Sequence, residues 1–471
     1  MKQHPRLVIA GTHSGVGKTT ATLAILAALR ERGRRVQPFK AGPDFIDPSH
    51  HQAATGRQSR NLDGWMLGAQ VNREIFTRAA EDADISVIEG MMGLFDGSSS
   101  VSDHGSTAEL AKQLDAPVIL VIDGSALARS AAAMVAGYAR FDPAVHVVGV
   151  LFNKVSSDGH YKLLKTAVEH ETDVKALGYL CPDSELTINA RHLGLTMAQE
   201  QRDRSLYHRL AKTAGNTVDL DLLETLARSG APLAQDPRPV LHRRPKTVRI
   251  GVAQDQAFCF YYADNLELLE AGGGELVVFS PLHDAKLPDA LGMIYLGGGY
   301  PELHGPALAA NGPMRSAIKR FGEQGGTIYA ECGGMMYLTQ GLRDCDGRLH
   351  EMVGLFPAEA TMQRAKMTLG YRALEVARSC VIGPTGLTAR GHEFHYSTIE
   401  PKGPLAYACT LTDAEGESKG YDGMVTFNTL GLYTHLHFGS QPACAAALVD
   451  SARRTAQYAS GSCIDSSKVG E

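Results

Sequence analysis

Short runs of mostly apolar residues recur along the first half of the chain, separated by segments with helical spacing. The runs cover residues 7–10, 36–40, 85–89, 118–123 and 147–153. Because neighbouring positions within a run are apolar, both faces of each strand should be covered, as in a parallel sheet with helices on either side. The pattern predicts a doubly wound α/β domain, whose ligands bind beyond the carboxyl ends of the strands.

The apolar pattern loosens after residue 176 and resumes in the second half. Residues 231–246 are rich in proline and arginine, which favours a linker. Strand-like runs follow at 248–253, 276–280, 293–296 and 327–330. We therefore predict a first α/β domain over residues 1–230, a linker at 231–246, a second α/β domain over 247–456 and a flexible tail at 457–471.

A glycine-rich segment joins the first apolar run to a helical pattern. Its sequence, GTHSGVGKT at residues 11–19, has the strand, loop and helix order of a phosphate-binding P-loop. Glycines let backbone N–H groups surround phosphate, and the following Lys and Thr supply an ammonium group and a hydroxyl for Mg²⁺. The leading Gly11 comes one position early, because the usual spacing has a glycine in place of Thr12. The predicted nucleotide contacts are Gly15, Gly17, Lys18, Thr19 and Thr20.

Polar residues follow the predicted strands of the first domain. Glu89 ends an apolar run in the position of a Walker-B acid, so we predict that Glu89 and Thr19 bind Mg²⁺. Three other acids admit two interpretations, as contacts to metal or substrate, or as helix caps and turn residues. These acids are Asp44, Asp47 and Asp96. Helix capping is favoured for Asp123, and Asn153 is a candidate contact to adenine.

The second domain places a cysteine between a predicted strand and a predicted helix. Small residues lie two positions before and two positions after Cys332, as a tight nucleophile elbow requires. The helix N-terminus is expected to lower the pKa of the thiol, and the Gly333 N–H lies where an oxyanion would form. A triglycine loop offers further candidate oxyanion donors, Gly298 and Gly299.

Two late segments contain paired histidines. The strand-like segment 433–438 places His435 and His437 on the same face, and either could act as the base that a nucleophilic thiol requires. The segment GHEFHY at 391–396 spaces its histidines three apart, whereas a zinc protease helix spaces them four apart. We therefore reject a metal site there and interpret that segment as a strand that faces substrate.

Composition and charge narrow the functional classes. Of the 471 residues, 44% are apolar and 21% charged, and the net charge is −5, which is typical of a globular protein without a surface for polyanions. No apolar segment reaches membrane-spanning length, and the eight cysteines form no Cys-x-x-Cys pair. These features predict a cytoplasmic protein with neither a nucleic-acid nor a membrane partner.

The two predicted sites have complementary chemistry. ATP can convert a substrate carboxylate into an acyl phosphate, and a Cys/His site can release ammonia from glutamine through a thioester. Together these reactions would form an amide. The competing hypothesis is a nucleotide-switch protein of the ParA/MinD kind, which needs the P-loop but not the cysteine elbow.

The chain resembles the cobyrinic acid a,c-diamide synthase family over segments 11–19, 37–44, 89–97, 295–302, 330–338, 391–397 and 435–437. The resemblance implies a dethiobiotin synthetase-like first domain, which shares the early P-loop glycine, and a class I glutamine amidotransferase-like second domain. It implies ATP and Mg²⁺, glutamine as ammonia donor, and amidation of the a and c acetates of cobyrinate or hydrogenobyrinate. Related enzymes similar along the whole chain amidate sirohaem or nickel-sirohydrochlorin, and the oligomeric state stays open, with a homodimer as one candidate.

The same resemblance implies roles for individual residues. His435 matches the catalytic histidine that acts with Cys332, whereas His437 stands where class I amidotransferases have an orienting glutamate. The third member of the triad is therefore absent or replaced. Cys259 stands where the family is expected to have asparagine. Four acids fall on family positions near the γ-phosphate and the substrate carboxylate: Asp44, Asp47, Glu89 and Asp96.

Overall fold

The computed structural model describes residues 4–183, 190–191, 194–201, 203, 205–233, 243–364 and 367–459. The chain forms two compact units, Met1–Arg238 and Pro239–Glu471. Much of the predicted linker at 231–246 lies outside the described residues, as does most of the predicted tail at 457–471. The domain bounds drawn from the sequence therefore stay predictions.

A seven-stranded parallel sheet forms the centre of the first unit and confirms the predicted doubly wound α/β class. Its strands are β1 Arg6–Gly11, β2 Val36–Ala41, β3 Arg60–Leu62, β4 Ile85–Glu89, β5 Val118–Asp123, β6 Val147–Asn153 and β7 Lys175–Leu180. The strand order is β3-β2-β4-β1-β5-β6-β7. Every residue of β1, β2 and β4 is buried, as expected for strands covered on both faces.

Helices surround this sheet and supply much of its core. They are α1 Lys18–Glu31, α2 Ile46–Thr55, α3 Gly68–Ala79, α4 Thr107–Gln113, α5 Ser130–Phe141, α6 Asp158–Glu171, α7 Leu206–Thr217 and α8 Leu220–Ala227. A short antiparallel pair, β8 Ala190–Arg191 and β9 Gly194–Leu195, precedes α7. The leucine stripe of α1, at Leu23, Leu26 and Leu29, is fully buried in one core with apolar residues of α7 and α8. This packing fixes the N-terminus of α1 against the end of β1.

The second unit combines a large mixed sheet with a smaller one. Its strands are β10 Val248–Ala253, β11 Gly274–Phe279, β12 Leu291–Leu296, β13 Thr327–Glu331, β14 Thr339–Arg343, β15 Leu349–Glu351, β16 Phe356–Met362, β17 Thr368–Val376, β18 Thr388–His395, β19 Ser397–Pro401, β20 Ala406–Thr412, β21 Ser418–Thr426, β22 Thr429–Leu432 and β23 His435–Leu436. The ten-stranded sheet has the order β11-β10-β12-β13-β22-β21-β20-β17-β18-β23. The smaller sheet has the order β15-β14-β16-β19.

The large sheet changes direction at β22. The strands from β11 to β22 are parallel, and those from β22 to β23 are antiparallel. The helices of this unit are α9 Ala263–Ala271, α10 Gly305–Ala310, α11 Gly312–Glu323, α12 Gly333–Leu338 and α13 Ala443–Ala459. Sequence reasoning found the parallel strands β10 to β13 and missed β22 and most of the antiparallel strands. Within the described ranges, no helix is long and apolar enough to cross a membrane.

Candidate functional sites

The predicted phosphate loop lies between β1 and α1 and has the backbone that phosphate binding requires. Gly15 and Gly17 have φ angles of 83° and 98°, which favour glycine, and no side chain caps the N-terminus of α1. A Cβ at Gly11 would lie 2.6 Å from Cγ1 of Val16, so the early glycine lets the loop fold back on the end of β1. The loop therefore presents the uncapped N-terminus of a 14-residue helix to an anion.

Two side chains adjoin this loop. Asn153, at the end of β6, donates from Nδ2 to the Val16 carbonyl over 2.9 Å and so supports the loop. Its predicted contact to adenine stays a prediction. Lys18 donates from Nζ to the His13 carbonyl over 3.3 Å, and burial together with nearby Lys40 lowers the pKa of its ammonium group. Negative phosphate oxygens would relieve that electrostatic cost.

The carboxylate of Glu89 is fully buried beside the first turn of α1. Thr19 donates from Oγ1 to Oε1 over 2.7 Å, which brings together the two residues predicted to bind Mg²⁺. His51 Nε2 lies 2.6 Å from Oε2, and Lys40 Nζ lies 3.1 Å from Oε1. Burial alone would raise the pKa of Glu89, but Lys40 and His51 outweigh it and hold this pKa below its usual value. Glu89 is therefore ionised at neutral pH.

Lys40 connects the acids of the site, and sequence reasoning gave it no role. Its ammonium group donates to Asp47 Oδ2 over 2.6 Å and lies 3.8 Å from Asp44 Oδ2. Burial opposes the charge, yet Asp47 and Glu89 raise the pKa of Lys40 above its ordinary value. The register of the strands could have indicated this role, because Lys40 of β2 is paired with Glu89 of β4 in the parallel sheet. His51, which was also missed, lies one helical turn after Asp47 in α2.

The remaining acids of this region have local roles. Asp44 accepts the Ile46 and Asp47 N–H groups at 2.7 and 3.1 Å, so it caps the start of α2. Asp96 is exposed and accepts the Gly93 N–H at 2.9 Å, as a turn residue does. The favoured helix-capping interpretation of Asp123 is wrong, because the next helix begins only at Ser130 and no side chain caps it. Asp123 instead accepts from the backbone N–H and the hydroxyl of Ser125, as in a turn. Among the residues that the structure describes, no three His, Cys, Asp or Glu side chains could together hold a metal ion.

The predicted nucleophile stands at a strained junction in the second unit. Cys332 lies between β13 and α12 with φ 45° and ψ −104°, a conformation that side chains rarely adopt outside such elbows. Its N–H donates to the Leu432 carbonyl over 2.6 Å, and its Sγ lies 3.9 Å from the Phe394 carbonyl in β18. The expected lowering of the thiol pKa is wrong for this structure. Burial raises the pKa of Cys332 and outweighs the nearby Gly333 N–H.

Gly333 and the triglycine loop lie next to each other beside the thiol. A Cβ at Gly333 would lie 2.8 Å from Pro301 Cδ and 3.1 Å from the Gly299 nitrogen, so the two predicted oxyanion donors approach closely. Gly299 has φ 153°. The Gly298 carbonyl accepts the Cys259 N–H at 2.9 Å, so Cys259 supports the loop through its backbone, which does not depend on its side chain.

His435 occupies a buried position in β23, directly opposite His392 of β18. A Cβ at Gly298 would collide with the His435 ring, so the triglycine loop also makes room for the imidazole. Burial, followed by the nearby His392 and His395, lowers the pKa of His435 to about 3. A neutral imidazole can accept a proton from a thiol. His437 has a different role, because its Nδ1 accepts the Gly439 N–H at 3.1 Å.

The predicted substrate-facing strand is β18, and it carries a buried charge network. Arg372 donates from Nε to Glu393 Oε2 over 2.6 Å, and His395 Nε2 lies 2.9 Å from Glu393 Oε1. The His395 ring stacks on Tyr433 with centroids 3.7 Å apart. Sequence reasoning did not identify Arg372 or Tyr433, because their partners lie on other strands.

These features define a class of protein, in which a nucleotide-binding α/β domain and a glutamine amidotransferase-type domain follow each other in one chain. Residues 7–195 match the family described as the CobQ/CobB/MinD/ParA nucleotide binding domain. Residues 249–443 match the CobB/CobQ-like glutamine amidotransferase domain. Both predicted domain types are thereby confirmed.

Relatives similar over nearly the whole chain narrow the class to one family. The cobyrinate a,c-diamide synthase of Salmonella typhimurium is 43% identical over 443 residues, which cover 93% of this chain and 96% of that protein. The enzyme of the same name from Priestia megaterium is 43% identical over 438 residues, or 92% and 94% of the two chains. This chain belongs to the cobyrinate a,c-diamide synthase family and is a glutamine-hydrolysing carbon–nitrogen ligase.

Proposed function

We propose that this protein uses ATP and glutamine to convert the a and c acetate groups of cobyrinate or hydrogenobyrinate into amides. The relatives bear the name of the first of these reactions, and they are similar over nearly the full length. The observation that carries the proposal is Cys332 at positive φ beside Gly333, in a chain that also contains a phosphate loop. A nucleotide-binding protein that transferred no nitrogen would have no need of this elbow.

The first unit supplies carboxylate activation in this scheme. The loop at Gly15 and Gly17 would hold the phosphates of ATP, with Lys18 and Thr20 at the start of α1 as further contacts. Thr19 and Glu89 fit Mg²⁺, because a hydroxyl and an ionised carboxylate converge beside the loop. Mg²⁺ would neutralise phosphate charge when bound. A substrate carboxylate oxygen then attacks the γ-phosphorus, ADP leaves, and an acyl phosphate forms.

Asp44, Asp47 and Asp96 retain supporting roles in the proposal. Asp47 keeps Lys40 beside Glu89, and Asp44 caps the helix that carries Asp47. Asp96 lies near enough to Lys18 to favour its charged form. We propose that these acids order the phosphate and substrate contacts, and we assign none of them alone to the metal.

The second unit supplies ammonia. His435 takes the proton from Cys332, and the thiolate attacks the carboxamide carbon of glutamine. Donors at Gly333 and at Gly299 or Gly298 would bind the developing oxyanion. The proton passes from His435 to the leaving nitrogen, ammonia departs, and water hydrolyses the thioester to glutamate. Ammonia then displaces phosphate from the acyl phosphate and gives the amide.

The test separates the two units. Cys332→Ser should abolish amidation driven by glutamine and leave amidation driven by ammonium chloride within a few-fold of wild type. Lys18→Ala should stop amidation with either nitrogen source and spare basal glutamine hydrolysis. Loss of amidation with both nitrogen sources in Cys332→Ser would contradict the proposed division of functions between the two units.

A substrate panel tests the identity of the acceptor. Incubation with cobyrinate, hydrogenobyrinate, sirohaem and nickel-sirohydrochlorin, each with ATP and glutamine, should give a product with two amides only for the first two. If only sirohaem or nickel-sirohydrochlorin gave a diamide, that compound would be the substrate, and the proposed amidation chemistry would still hold. Slow ATP turnover with no glutamate formed would favour the nucleotide-switch hypothesis. A cytoplasmic location and small-molecule partners, without nucleic acid, belong to the same proposal.

A further inference from the structure

Glu331, the residue directly before the nucleophile, is fully buried at the end of β13. Its Oε1 accepts from the Tyr329 hydroxyl at 2.7 Å and from the Leu436 N–H at 3.1 Å. Its Oε2 accepts from the Tyr295 hydroxyl at 3.0 Å. A buried carboxylate with three fixed donors is held in one orientation.

This orientation directs the carboxylate at the proposed base. Oε2 of Glu331 lies 4.0 Å from Nδ1 of His435. The backbone next to His435 also binds this carboxylate, because Leu436, whose N–H donates to Oε1, directly follows His435 in the chain. Glu331 itself is the covalent neighbour of Cys332. One carboxylate is therefore connected to both members of the Cys332–His435 pair.

We propose that Glu331 is the positioning residue of His435, replacing the glutamate that class I amidotransferases place two residues after their histidine. This inference rests on the proposed glutaminase function. A movement of about 1 Å would bring Nδ1 and Oε2 within hydrogen-bond distance, and such contacts tighten when substrate binds. Glu331 then keeps the proton on Nδ1, which leaves Nε2 to accept the Cys332 proton, and it stabilises the imidazolium that results. No further proton moves.

The alternative position for an orienting group is His437, and its contacts are different. Its Nδ1 accepts the Gly439 N–H, and its ring lies over Tyr262 with centroids 4.7 Å apart. The carboxylate that precedes the cysteine in sequence thus takes the place expected after the histidine. Because this carboxylate lies before the cysteine in the chain, alignment to the class I order of residues would not reveal Glu331.

The charge on Glu331 gives this role a pH signature. Burial raises the pKa of Glu331 to about 7, and the hydrogen bonds from Tyr329, Tyr295 and Leu436 oppose that rise. Glutamine hydrolysis should therefore decline as pH falls through about 7, where the carboxylate becomes neutral. The other titratable groups around the pair are Tyr261, Tyr295, Tyr329 and Cys332 near Glu331, and His392, His395 and Glu393 near His435.

The experiment compares Glu331→Gln with Tyr329→Phe in the full-length protein. Glu331→Gln should lower kcat for glutamine hydrolysis by about 10²- to 10⁴-fold and change KM little. It should also remove the acid limb of the pH–rate profile, which is the decline in hydrolysis as pH falls through about 7. Tyr329→Phe keeps the carboxylate and removes one donor to Oε1, so hydrolysis should persist while the acid limb moves to higher pH. Amidation with ammonium chloride should stay within threefold of wild type in both variants.

Two results would overturn the inference. One is hydrolysis by Glu331→Gln within threefold of wild type. The other is an acid limb that both variants retain unshifted, because Glu331 would then only tie the strands together. Should Glu331→Gln fail to fold, an unshifted limb in Tyr329→Phe overturns the inference by itself. Glutamine-driven amidation by Cys332→Ser would instead refute the proposed function, so the two failures are distinguishable.

Discussion

Lys40 of β2 and Glu89 of β4 are register partners, and Nζ of Lys40 lies 3.1 Å from Oε1 of Glu89 in a site closed to solvent. The same ammonium group binds Asp47 at 2.6 Å. The Glu89 carboxylate therefore accepts hydrogen bonds from both the Lys40 ammonium group and the Thr19 hydroxyl. Binding of Mg²⁺ would add a second positive centre, whose charge the phosphates of ATP would help to balance.

Replacement of Lys40 by methionine tests this shared charge. Lys40→Met leaves Glu89 and Asp47 buried without their common cation, so we expect the first unit to lose about 3–5 kcal/mol of stability. Amidation with ammonium chloride should fall below detection, whereas glutamine hydrolysis should remain. Fluorescence of Trp65, the single tryptophan of the chain, reports unfolding of the first unit.

Lys112 provides a matched control for that variant. Its ammonium group also lies between two carboxylates, Asp103 and Asp142, but in a partly exposed position. Lys112→Met should change stability by about 1 kcal/mol or less and leave both reactions intact, because exposed ion pairs contribute little. Equal losses in Lys40→Met and Lys112→Met would contradict the special role given to the buried cation.

Glu89→Gln tests the proposed metal contact. Glutamine can still accept the hydrogen bond from Thr19, but it lacks the negative charge that Mg²⁺ requires. The Mg²⁺ concentration for half-maximal ammonium-driven amidation should rise about 10- to 100-fold. Binding of ATP without Mg²⁺ should be retained, since the loop backbone is unaffected. An unchanged Mg²⁺ titration would remove Glu89 from the metal site.

The parts of the sites that depend on local chain geometry could be predicted from the sequence. Gly15, Gly17 and Gly333 were identified because turns and close approaches restrict those positions to glycine. Cys332 was identified by its place between a strand and a helix. Most of the parallel strands were also predicted, because burial on both faces leaves continuous apolar runs, whereas β3, β7 and β22 were missed.

The parts that depend on contacts between distant segments could not be predicted. Lys40 and His51 reach Glu89 across 49 and 38 residues, and Glu331 reaches Leu436 across 105. No single-segment pattern encodes such pairs. The antiparallel strands were missed for a different reason. Burial along β17 alternates, but its buried positions include Arg372 and its exposed positions include Leu369, so the sequence shows no alternation of apolar and polar residues.

Gly17→Ala tests the loop conformation. Alanine at φ 98° costs about 1–2 kcal/mol, and its Cβ would also collide with the Asn153 amide that supports the loop. Affinity for ATP should drop at least tenfold, as measured by calorimetric titration. Gly137→Ala is the control, because Gly137 lies exposed in α5 with open space around it, and alanine there should stabilise the helix by up to about 1 kcal/mol. Tight ATP binding by Gly17→Ala would show that the loop rearranges.

Burial of Glu331 should make the stability of the second unit depend on pH. The folded protein raises the pKa of this carboxyl from 4.5 to about 7, so the folded state binds more protons than the unfolded state between these values. The free energy of unfolding should therefore fall as pH rises through that window, by roughly 3 kcal/mol in total. Glu331→Gln lacks this titration. Hydrogen exchange of peptides from β12 and β13 measures the effect at equal pH in both proteins. Protection in the variant relative to wild type should increase roughly 10²-fold from pH 4.5 to 7.5. A constant ratio would show that folding does not raise the pKa of Glu331.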